Sequence, residues 1–354
     1  MSNWFADQLL NWFAAHGRKH LPWQHPRSAY RVWLSEIMLQ QTQVQTVLPY
    51  FERFLSRFPD LPCLAKAPID EVLHEWSGLG YYSRARNLHK TAQILMRDHH
   101  GQFPSDAAAL ELLPGIGRST AGAIAAMAFG ERAAILDGNV KRVLCRFRTV
   151  AGYPGDGTVS RRLWAIAEEH TPNERVADYT QAIMDLGATV CTRRRPACPR
   201  CPLFERCEAR IQEVVDRFPE PKPKRSLPEQ ERSFVLLVRR DGACLLERRP
   251  PSGIWGGLWS PPEMSANVLH HEIEAEFGME MIEHGSIEIQ PFVHTFTHFR
   301  MQVRPRVLEV TDNTAHHVAE HTDRLWYSPG DNQPIGLSAV ASRLLRELKE
   351  KRQP

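Results

Sequence analysis

The chain lacks any segment that suggests targeting to a membrane. Its first 20 residues have no basic start followed by an apolar core, and their apolar residues recur at the spacing of one helix face. The most apolar stretch, around residues 119–130, is rich in alanine and too short to span a bilayer. These absences exclude a signal peptide and a membrane span, and they predict a soluble, cytoplasmic protein.

Strong charge of one sign is also missing. The 354 residues include 44 Lys and Arg against 41 Asp and Glu, which gives a net charge of +3, and the isoelectric point is near 8.5. So mild an excess identifies no partner by itself, and the placement of the basic residues has to be considered instead. The length predicts two domains, each with a core of its own.

The first 215 residues lack the alternating pattern of strands. Apolar residues recur three and four positions apart, and short segments such as FPD, SGLG and LPGIG separate the repeats. One such helical set is Tyr30, Trp33, Leu34, Ile37 and Met38. The pattern predicts an all-α region, and the sequence contains no internal repeat.

The composition changes after residue 215. Residues 216–231 carry four prolines among charged residues and are predicted to be an extended linker. Beyond it, RSFVLLVRR and ACLLERR flank Asp241 and Gly242, a pairing typical of a β-hairpin. We expect further elements in an α+β domain of residues 232–354: helices near 265–277 and 338–351, and strands at 286–293, 299–310 and 324–327.

Four of the seven cysteines lie in one 17-residue window, CTRRRPACPRCPLFERC. They are Cys191, Cys198, Cys201 and Cys207. Such crowding indicates a metal site rather than a disulfide framework. Structural zinc usually uses two Cys-x2-Cys pairs, and only one is present here, so the compact spacing favours an iron–sulfur cluster while zinc stays an alternative.

Arginines crowd the same window, and Arg193, Arg194 and Arg195 are consecutive. A charge run is usually a solvated face. Here metal ligands would fix the loop, and a fixed basic loop suits contact with the phosphates of a nucleic acid. The window therefore predicts a nucleic-acid contact.

The stretch LPGIGRST contains Gly115 and Gly117 between two predicted helices. Backbone N–H groups at such a helix start attract an anion. The stretch has no Lys-Ser/Thr pair directly after the second glycine and no preceding strand, which excludes a P-loop and a dinucleotide fold. A helix–hairpin–helix that holds a nucleic-acid backbone fits better, and a plain helix–helix turn is the alternative.

Two carboxylates stand out by their neighbours. Asp137 lies in the turn-forming stretch ILDGNV, and Glu36 borders the apolar stripe of VWLSEIMLQQTQV. Taken separately, Asp137 would be a helix N-cap and Glu36 a solvated helix residue. Together at one cleft, two carboxylates could cleave a glycosidic bond, one as acid and the other as stabiliser of the cationic centre.

Six motifs follow one another along the chain: WLSEIMLQQTQV, GLGYYSRARNLHK, LPGIGRSTAGAI, ILDGNVKRV, MDLGATVC and the four-cysteine window. In this combination the sequence resembles the adenine-specific DNA mismatch glycosylases of the MutY type, within the helix–hairpin–helix glycosylase superfamily. The resemblance covers nearly the whole chain. It implies excision of adenine mispaired with 8-oxoguanine or guanine in duplex DNA, after the base is flipped out of the stack.

The resemblance also implies roles for individual residues. Glu36 corresponds to the acid that protonates the leaving adenine. Asp137 corresponds to the carboxylate that stabilises or captures the deoxyribosyl cation, and Asn139 to its support. Gln41 and Tyr81 correspond to residues that insert into the base stack.

Four further residues take their meaning from the resemblance. Trp23, Gln24 and Gln181 align with the adenine pocket. Position 119 carries Lys in relatives that also nick the strand, because an amine can form a Schiff base with the sugar. Ser119 cannot form that imine, so the implied enzyme is monofunctional.

The C-terminal domain resembles the Nudix-like domain of the same family. Its Nudix box is incomplete, because His271 replaces an Arg and Ala275 replaces a metal-binding Glu. Nucleotide pyrophosphohydrolysis is therefore a weaker alternative, as is non-catalytic binding of damaged DNA. The implied role is recognition of 8-oxoguanine by the turn of Phe296, Thr297 and His298, where Thr297 stands in place of the family's usual Ser.

The expected protein is multidomain. The resemblance implies an all-α helix–hairpin–helix glycosylase core at 1–215, with a six-helix lobe at 22–130 and a cluster lobe formed by 1–21 and 131–215. It further implies a 4Fe-4S cluster on the four cysteines, duplex DNA as partner, a monomer, and association with the nucleoid.

Overall fold

The structure is a computed structural model of the chain, and it describes residues 3–223, 226–265, 269–282, 287–311, 323–328 and 333–352. Contacts divide the chain into two compact units, one of residues 1–66 and 87–224 and one of residues 67–86 and 225–354. The short segment 67–86 thus packs with the C-terminal residues. The domain and lobe boundaries derived from the sequence stay predictions.

Residues 3–223 form helices and turns and contain no strand, which confirms the predicted all-α region. The α-helices are α1 (Trp4–His16), α2 (Ala29–Leu39), α3 (Val44–Arg57), α4 (Leu61–Lys66), α5 (Ile69–Glu75), α6 (Ser83–Asp98), α7 (Ala107–Glu111), α8 (Arg118–Ile124), α9 (Gly138–Phe147), α10 (Gly157–His170), α11 (Val176–Thr189) and α12 (Glu208–Ile211). No helix in the described part of the chain is long and apolar enough to cross a membrane.

Side-chain caps and buried stripes explain why these segments are helical. The Ser28 side chain accepts a hydrogen bond from the backbone N–H of Arg31 and begins α2. The five apolar positions that predicted this helix are all buried. They are Tyr30, Trp33, Leu34, Ile37 and Met38. Burying one such side chain stabilises the fold by about 1.5–3 kcal/mol, so the buried face fixes the orientation of α2 and of Glu36 upon it.

Two connections in the helical unit position the later site. The LPGIG turn joins α7 to α8, and α8 continues as one π-helical stretch, Ala125–Phe129, that ends at Gly130. The chain then runs to Asp137, which begins α9. Gly122 in α8 lies directly against this connection, because a Cβ there would be 2.4 Å from the carbonyl oxygen of Ala134. The close packing brings the hairpin helix beside the start of α9.

The C-terminal part of the second unit is a mixed sheet with two helices. The strands are β1 (Glu229–Val238), β2 (Cys244–Arg248), β3 (Trp259–Ser260), β4 (Glu263–Met264), β5 (Met281–Ile282), β6 (Phe292–Thr295), β7 (Arg300–Val310) and β8 (Arg324–Tyr327), and the helices are α13 (His270–Phe277) and α14 (Ala339–Arg352). The sheet order is β3-β2-β1-β7-β5, with β4 on β1, β6 on β7 and β8 on β2. Strands β1 and β7 are parallel, and the other pairs are antiparallel.

Strand β1 alternates between two apolar cores, one on each face of the sheet. Phe234 and Leu236 pack in the core that contains Leu344 of α14. Val235 and Leu237 pack in the core that contains α13. This period of two is the expected pattern of a strand covered on both faces, and it confirms the predicted α+β domain.

The predicted elements of this domain compare unevenly with the observed ones. Asp241 and Gly242 do form the β1–β2 turn, and the strand at 324–327 is found as predicted. The predicted strand at 286–293 is wrong over 287–291, which adopt no strand, and residue 286 lies outside the described residues. The helix predicted near 265–277 begins only at residue 270. Residues 266–268 also lie outside the described residues.

Candidate active site

Two acidic side chains, Glu36 and Asp137, lie near each other in the helical unit. Burial raises the pKa of Glu36 to about 8, and the negative charge of Asp137 contributes to that rise. No donor among the described residues forms a hydrogen bond with the Glu36 carboxyl group. The environment of Glu36 therefore favours its protonated form near neutral pH.

Asp137 is held in a different way, because it is the N-cap of α9. Its Oδ1 accepts a hydrogen bond of 2.7 Å from the backbone N–H of Val140, and its Oδ2 accepts one of 3.2 Å from the side-chain amide of Asn139. Burial raises the pKa of Asp137, while these hydrogen bonds and the charge of Arg142 oppose the rise. The pair thus combines an acid without hydrogen bonds and a carboxylate with several donors, a division typical of acid and stabiliser roles.

A series of hydrogen bonds connects Asp137 to the cysteine loop. Asn139 donates to Asp137, and its Oδ1 accepts a hydrogen bond of 2.8 Å from the Arg142 guanidinium. Arg142 also donates to the carbonyl oxygens of Gly187 and Cys191, at 2.6 and 2.7 Å. The orientation of Asn139 therefore depends on a cation anchored beside a cysteine of the predicted cluster.

The LPGIG turn has the geometry of a tight hairpin. Gly115 adopts φ of +79°, and a Cβ there would be 2.8 Å from the Cβ of Asn87, so only glycine fits without displacement. Gly117 caps α8, and a Cβ at this position would meet open space. Thr91 and Gln40 donate hydrogen bonds to the carbonyl oxygens of Pro114 and Gly115. The hydrogen bonds from Thr91 and Gln40 thus hold the turn in place, while Gly117 leaves the start of α8 accessible.

Ser119 is half-buried in α8 and contacts the residue before Asp137. Its Oγ accepts a hydrogen bond of 2.9 Å from the backbone N–H of Leu136. Leu136 directly precedes Asp137, so this contact ties α8 to the start of α9. No pattern in the sequence predicts this bond, because Ser119 lies in α8 and Leu136 lies in the connection before α9.

Gln41 and Tyr81, the two residues predicted to insert into DNA, share an unusual backbone. Gln41 has φ of +58° in the helical unit, and Tyr81 has φ of +47° in the second unit. Residues other than glycine rarely adopt this left-handed conformation, and it often marks functional positions. Both side chains are exposed, 44% in the case of Tyr81, so each is free to contact a partner.

The three residues assigned to the adenine pocket are all buried. Trp23 packs edge-on against Phe51, and the Gln24 side chain accepts a hydrogen bond from the backbone N–H of Leu21. Gln181 donates a hydrogen bond of 2.8 Å to the buried carboxylate of Asp185. Each side chain is thus fixed before any ligand is bound.

Arg18, which no sequence pattern singled out, shares a hydrogen-bond partner with Gln181. Its side chain donates two hydrogen bonds to Oδ1 of Asp185, at 2.9 and 2.7 Å, and its backbone N–H donates to Oδ2. Gln181 shares the same Oδ1. No local signal could have identified the pair, because Arg18 and Asp185 are 167 positions apart.

The four window cysteines line a single cavity of about 430 Å³ of empty space, part of it open to solvent. Burial raises the pKa of the Cys201 thiol to about 12, so metal binding there has to displace a proton. No group of three or more His, Cys, Asp or Glu side chains in the described ranges is arranged to hold a single metal ion. What the structure gives is that all four cysteines line the same cavity.

Buried Arg146 borders the same cavity. Its guanidinium donates to the carbonyl oxygens of Phe218 and Thr192, at 2.9 and 2.7 Å, and to Sγ of Cys191 at 3.4 Å. Within the described ranges no carboxylate pairs with this cation. A buried charge needs a counter-charge, and a cluster with thiolate ligands would supply it. The cavity and its cation thus fit a negatively charged polynuclear cluster.

Arg193, Arg194 and Arg195 are exposed at the start of the cysteine loop. A side chain within the loop constrains it, because the Thr192 hydroxyl donates a hydrogen bond of 2.9 Å to the carbonyl oxygen of Arg194. Arg195 adopts φ of +51°. The three charges therefore project from a constrained turn, as the sequence predicts for phosphate contact.

In the second unit, residues 296–298 form the turn between β6 and β7. The backbone N–H of Phe296 donates to the carbonyl oxygen of Phe299 at 2.9 Å, and the two rings stack with centroids 4.4 Å apart. Thr297 and His298 are exposed at the tip, where their side chains lie 3.4 Å apart at Oγ1 and Nδ1. The turn presents two polar side chains on an aromatic base.

The Nudix-box carboxylates are engaged by other groups. Glu263 pairs with Arg249 at 2.7 Å and Arg232 at 3.2 Å. Glu272 accepts a hydrogen bond from the backbone N–H of Leu269, and Glu276 pairs with Arg324. Mg²⁺ needs several free oxygen ligands, so this arrangement does not favour a hydrolytic metal site.

Two family models match the chain. The model of the HhH-GPD superfamily of base excision DNA repair proteins matches residues 34–169, and the NUDIX domain model matches residues 234–347. The first match contains Glu36, the hairpin and Asp137. The second contains the turn of residues 296–298.

The chain is similar to adenine DNA glycosylases over most of its length. The enzyme of Buchnera aphidicola subsp. Acyrthosiphon pisum (strain APS) is 35% identical over 348 residues, which cover 98% of both chains. The enzyme of Homo sapiens is 35% identical over 359 residues, which cover 84% of this chain and 65% of the human one. A solved thermostable thymine-DNA glycosylase shares 28% identity with a TM-score of 0.52, over 59% of this chain and 95% of its own.

Proposed function

Because the chain belongs to the adenine DNA glycosylase family, we propose that it hydrolyses the N-glycosidic bond of adenine mispaired with 8-oxoguanine or guanine in duplex DNA. It is a base-excision repair enzyme, and duplex DNA is its partner. The observation that carries the mechanism is the pairing of Glu36 with Asp137, two neighbouring carboxyl groups in contrasting environments.

Glu36 protonates the departing adenine, because its raised pKa keeps a proton available at neutral pH. Asp137 stays hydrogen-bonded and stabilises the positive charge that develops on the deoxyribose. Water then adds to C1′ of the deoxyribose, and the proton that it loses restores the Glu36 acid, so the products are free adenine and an abasic sugar. Both groups can reach the bond only if the adenine leaves the base stack, as enzymes acting on a buried base require. Trp23, Gln24 and Gln181 receive the flipped base.

The reaction ends at an abasic site, without strand cleavage. A lyase step needs an amine that forms a Schiff base with the sugar. Position 119 carries a hydroxyl, and that hydroxyl already accepts the backbone N–H of Leu136. Ser119 therefore supports the loop of Asp137 and supplies no imine.

The base opposite the adenine is read by the turn of residues 296–298. The Thr297 hydroxyl can donate and accept a hydrogen bond, and it is exposed at the tip of the turn. The glycines of the hairpin and Arg193, Arg194 and Arg195 contact phosphates, while Gln41 and Tyr81 fill the gap left by the flipped base.

The cofactor proposed for the cysteine cavity is a 4Fe-4S cluster held by Cys191, Cys198, Cys201 and Cys207. A zinc ion would draw four sulfurs to about 2.3 Å from one point, whereas these cysteines border a cavity with a buried cation. The cluster supplies a rigid anchor for the cysteine loop. Purified protein should contain about four irons per chain and absorb visible light as iron–sulfur proteins do, and zinc without iron would contradict the proposal.

Nucleotide pyrophosphohydrolysis is the second candidate, and the pairing of Glu263, Glu272 and Glu276 with other groups speaks against it. Assays with 8-oxo-dGTP and Mg²⁺ separate the two. Phosphate or pyrophosphate release without adenine release from DNA would favour the hydrolase. A protein that binds mismatched duplex but never releases adenine under single-turnover conditions would be a binding protein only.

The pH dependence of adenine release follows from the pKa of Glu36. The acid works only when protonated, so the rate should fall as pH rises through about 8. The rate should also fall at acid pH, where Asp137, whose pKa is raised by burial, takes up a proton and loses its charge. Single-turnover rates measured over about two pH units on either side of this pKa test the assignment. A decline with rising pH centred near the ordinary glutamate pKa of about 4.3 would contradict it.

Arg142→Met should slow adenine release roughly tenfold to a hundredfold, a typical loss when a supporting partner of a metal site is removed. The change breaks the bonds from Arg142 to Asn139 and to the carbonyl oxygen of Cys191, so Asn139 no longer holds Asp137 in place. Single-turnover kinetics and iron content are measured together. Lys141→Met, the adjacent change on α9, is the matched control. An unchanged rate with full iron content in Arg142→Met would exclude the link.

A further inference from the structure

Segment 67–86 is joined to the C-terminal sheet within the second unit. The Asp70 carboxylate of α5 accepts two hydrogen bonds, at 3.2 and 2.7 Å, from the Arg248 guanidinium of β2. Leu73 lies so close to Gly336 that a Cβ on the glycine would be 2.6 Å from the leucine Cβ. The bidentate ion pair between Arg248 and Asp70 and the close packing of Gly336 against Leu73 together hold the segment on the sheet.

The same segment carries Tyr81 on a constrained loop. Gly78, Gly80 and Tyr81 all have positive φ, at 100°, 71° and 47°. The next residue, Tyr82, is buried, and its hydroxyl donates a hydrogen bond of 3.2 Å to the carbonyl oxygen of Leu337. The backbone of Tyr81 is thus held by a neighbour that is anchored in the C-terminal part of the unit.

One turn of helix further on, Arg86 contacts a second loop. Its guanidinium donates a hydrogen bond to the carbonyl oxygen of Gly256. Gly256 has to be glycine, because a Cβ there would lie 2.4 Å from the carbonyl oxygen of Pro251. Arg86 therefore holds a turn whose own backbone allows little movement.

Trp255, next to Gly256, contacts the turn that is proposed to read the opposite base. Its ring centroid lies 5.2 Å from that of Phe296 and 5.6 Å from that of His294. Trp255 also has φ of +55°, a strained conformation for a bulky residue that persists only where the surroundings impose it. The indole packs against the aromatic side chains at the base of the turn and against the core of the sheet.

We propose that Arg86 and Trp255 are positioning residues that fix the Tyr81 loop (residues 78–82) and the turn of residues 296–298 relative to each other. Recognition of the opposite base by the turn of residues 296–298 is then coupled to insertion of Tyr81 into the base stack. This inference rests on the proposed function of those two loops. Arg86 contacts the carbonyl oxygen of Gly256, and Trp255 contacts Phe296 of the turn.

Arg86 and Trp255 belong to one continuous path of contacts between the Tyr81 loop and the turn of residues 296–298. The contacts run from the Tyr81 loop through Arg86 to Gly256, and from the adjacent Trp255 to Phe296. Loss of either residue breaks the same connection. The second substitution should therefore add little to the first, whereas independent sites give additive effects.

The test uses the full-length protein and compares single-turnover adenine release from A·8-oxoguanine and A·G duplexes. Arg86→Met is expected to reduce the ratio of the two rates about tenfold, a usual size for coupling between sites, with the A·G rate nearly unchanged. Trp255→Leu should give the same loss, and the double variant should lose no more than either. Arg86→Lys, which can still donate to the Gly256 carbonyl, should recover part of the ratio.

Lys90→Met is the matched control, because Lys90 is exposed one helical turn beyond Arg86. If folded Arg86→Met or Trp255→Leu keeps the wild-type ratio of the A·8-oxoguanine rate to the A·G rate, the inference is wrong. It is also wrong if the fold-loss of this ratio in the double variant equals the product of the two single-variant fold-losses. If Arg86→Met does not fold, Trp255→Leu and Arg86→Lys decide the matter by the same ratio. Equal wild-type rates on the two duplexes would instead refute the proposed reading of 8-oxoguanine.

Discussion

Glu36→Gln should slow adenine release by about 10²- to 10⁴-fold, the usual contribution of a general acid. Glutamine has nearly the same shape as the protonated glutamic acid but has no acidic proton to give. The surroundings of Glu36 already favour the neutral form, since burial and Asp137 raise its pKa to about 8. The substitution should therefore leave folding and DNA binding intact, and the loss should fall on the chemical step.

Single-turnover kinetics with a labelled A·8-oxoguanine duplex measure this loss, and a gel-shift titration measures binding. The matched control is Glu52→Gln, the same change at an exposed glutamate of α3. It should keep the wild-type rate. Near-normal adenine release by Glu36→Gln would remove Glu36 from the mechanism, and loss of duplex binding would indicate a structural role instead.

Asp137→Asn should slow the same step by about 10²- to 10³-fold, as expected when one group that stabilises charge in the transition state is removed. Asn and Asp are similarly good N-caps, so the Oδ1 contact with the backbone N–H of Val140 can persist and α9 should remain intact. What disappears is the negative charge that we propose stabilises the deoxyribosyl cation. Because that charge also raises the pKa of Glu36, the pH at which the rate declines should move down in this variant.

The control for Asp137→Asn is Asp156→Asn. Asp156 is the exposed N-cap of α10 and accepts hydrogen bonds from two backbone N–H groups. The chemical change is thus identical, but the site is elsewhere. Equal rates in the two variants would show that Asp137 serves only as a helix cap, the alternative that its sequence context leaves open.

The parts of the fold that the sequence predicted well are those with local signals. Five apolar residues of α2 recur at helical spacing, and all five are buried. The alternation in β1 and the Asp241-Gly242 turn likewise depend on neighbouring residues. The predicted strand at 286–293 failed because the alternation of Ile287, Glu288 and Ile289 does not reveal whether a partner strand is available. Pairing with β7 begins only at Phe292.

The supporting contacts of the site escaped prediction because they join distant positions. Arg18 meets Asp185, Arg146 meets the backbone of the cysteine loop, and Ser119 meets the N–H of Leu136. Backbone acceptors and donors leave no trace in the side-chain sequence. The left-handed backbone of Trp255 is also imposed by its surroundings and not by its own preference.

Candidate residues, by contrast, could be selected from the sequence, because the resemblance rests on contiguous motifs. Glu36 and Asp137 each had an ordinary structural explanation when taken alone. Their proximity, and the contrast between a carboxyl group without hydrogen bonds and a carboxylate with donors, emerges only when α2 and the start of α9 pack in one unit. The sequence was sufficient to select the two carboxyl groups as candidates. Which of them would be the acid and which the stabilising carboxylate depends on the environment that the fold gives each one.

The most direct test of the central claim is a single-turnover assay on duplexes that contain A·8-oxoguanine, A·G or A·C, analysed with and without alkali. The proposed function predicts release of free adenine from the first two, fastest from A·8-oxoguanine, and strand breaks only after alkali treatment of the abasic product. Strand breaks without alkali would contradict the monofunctional mechanism assigned to Ser119. No adenine release from A·8-oxoguanine by iron-loaded protein would contradict the proposed reaction itself.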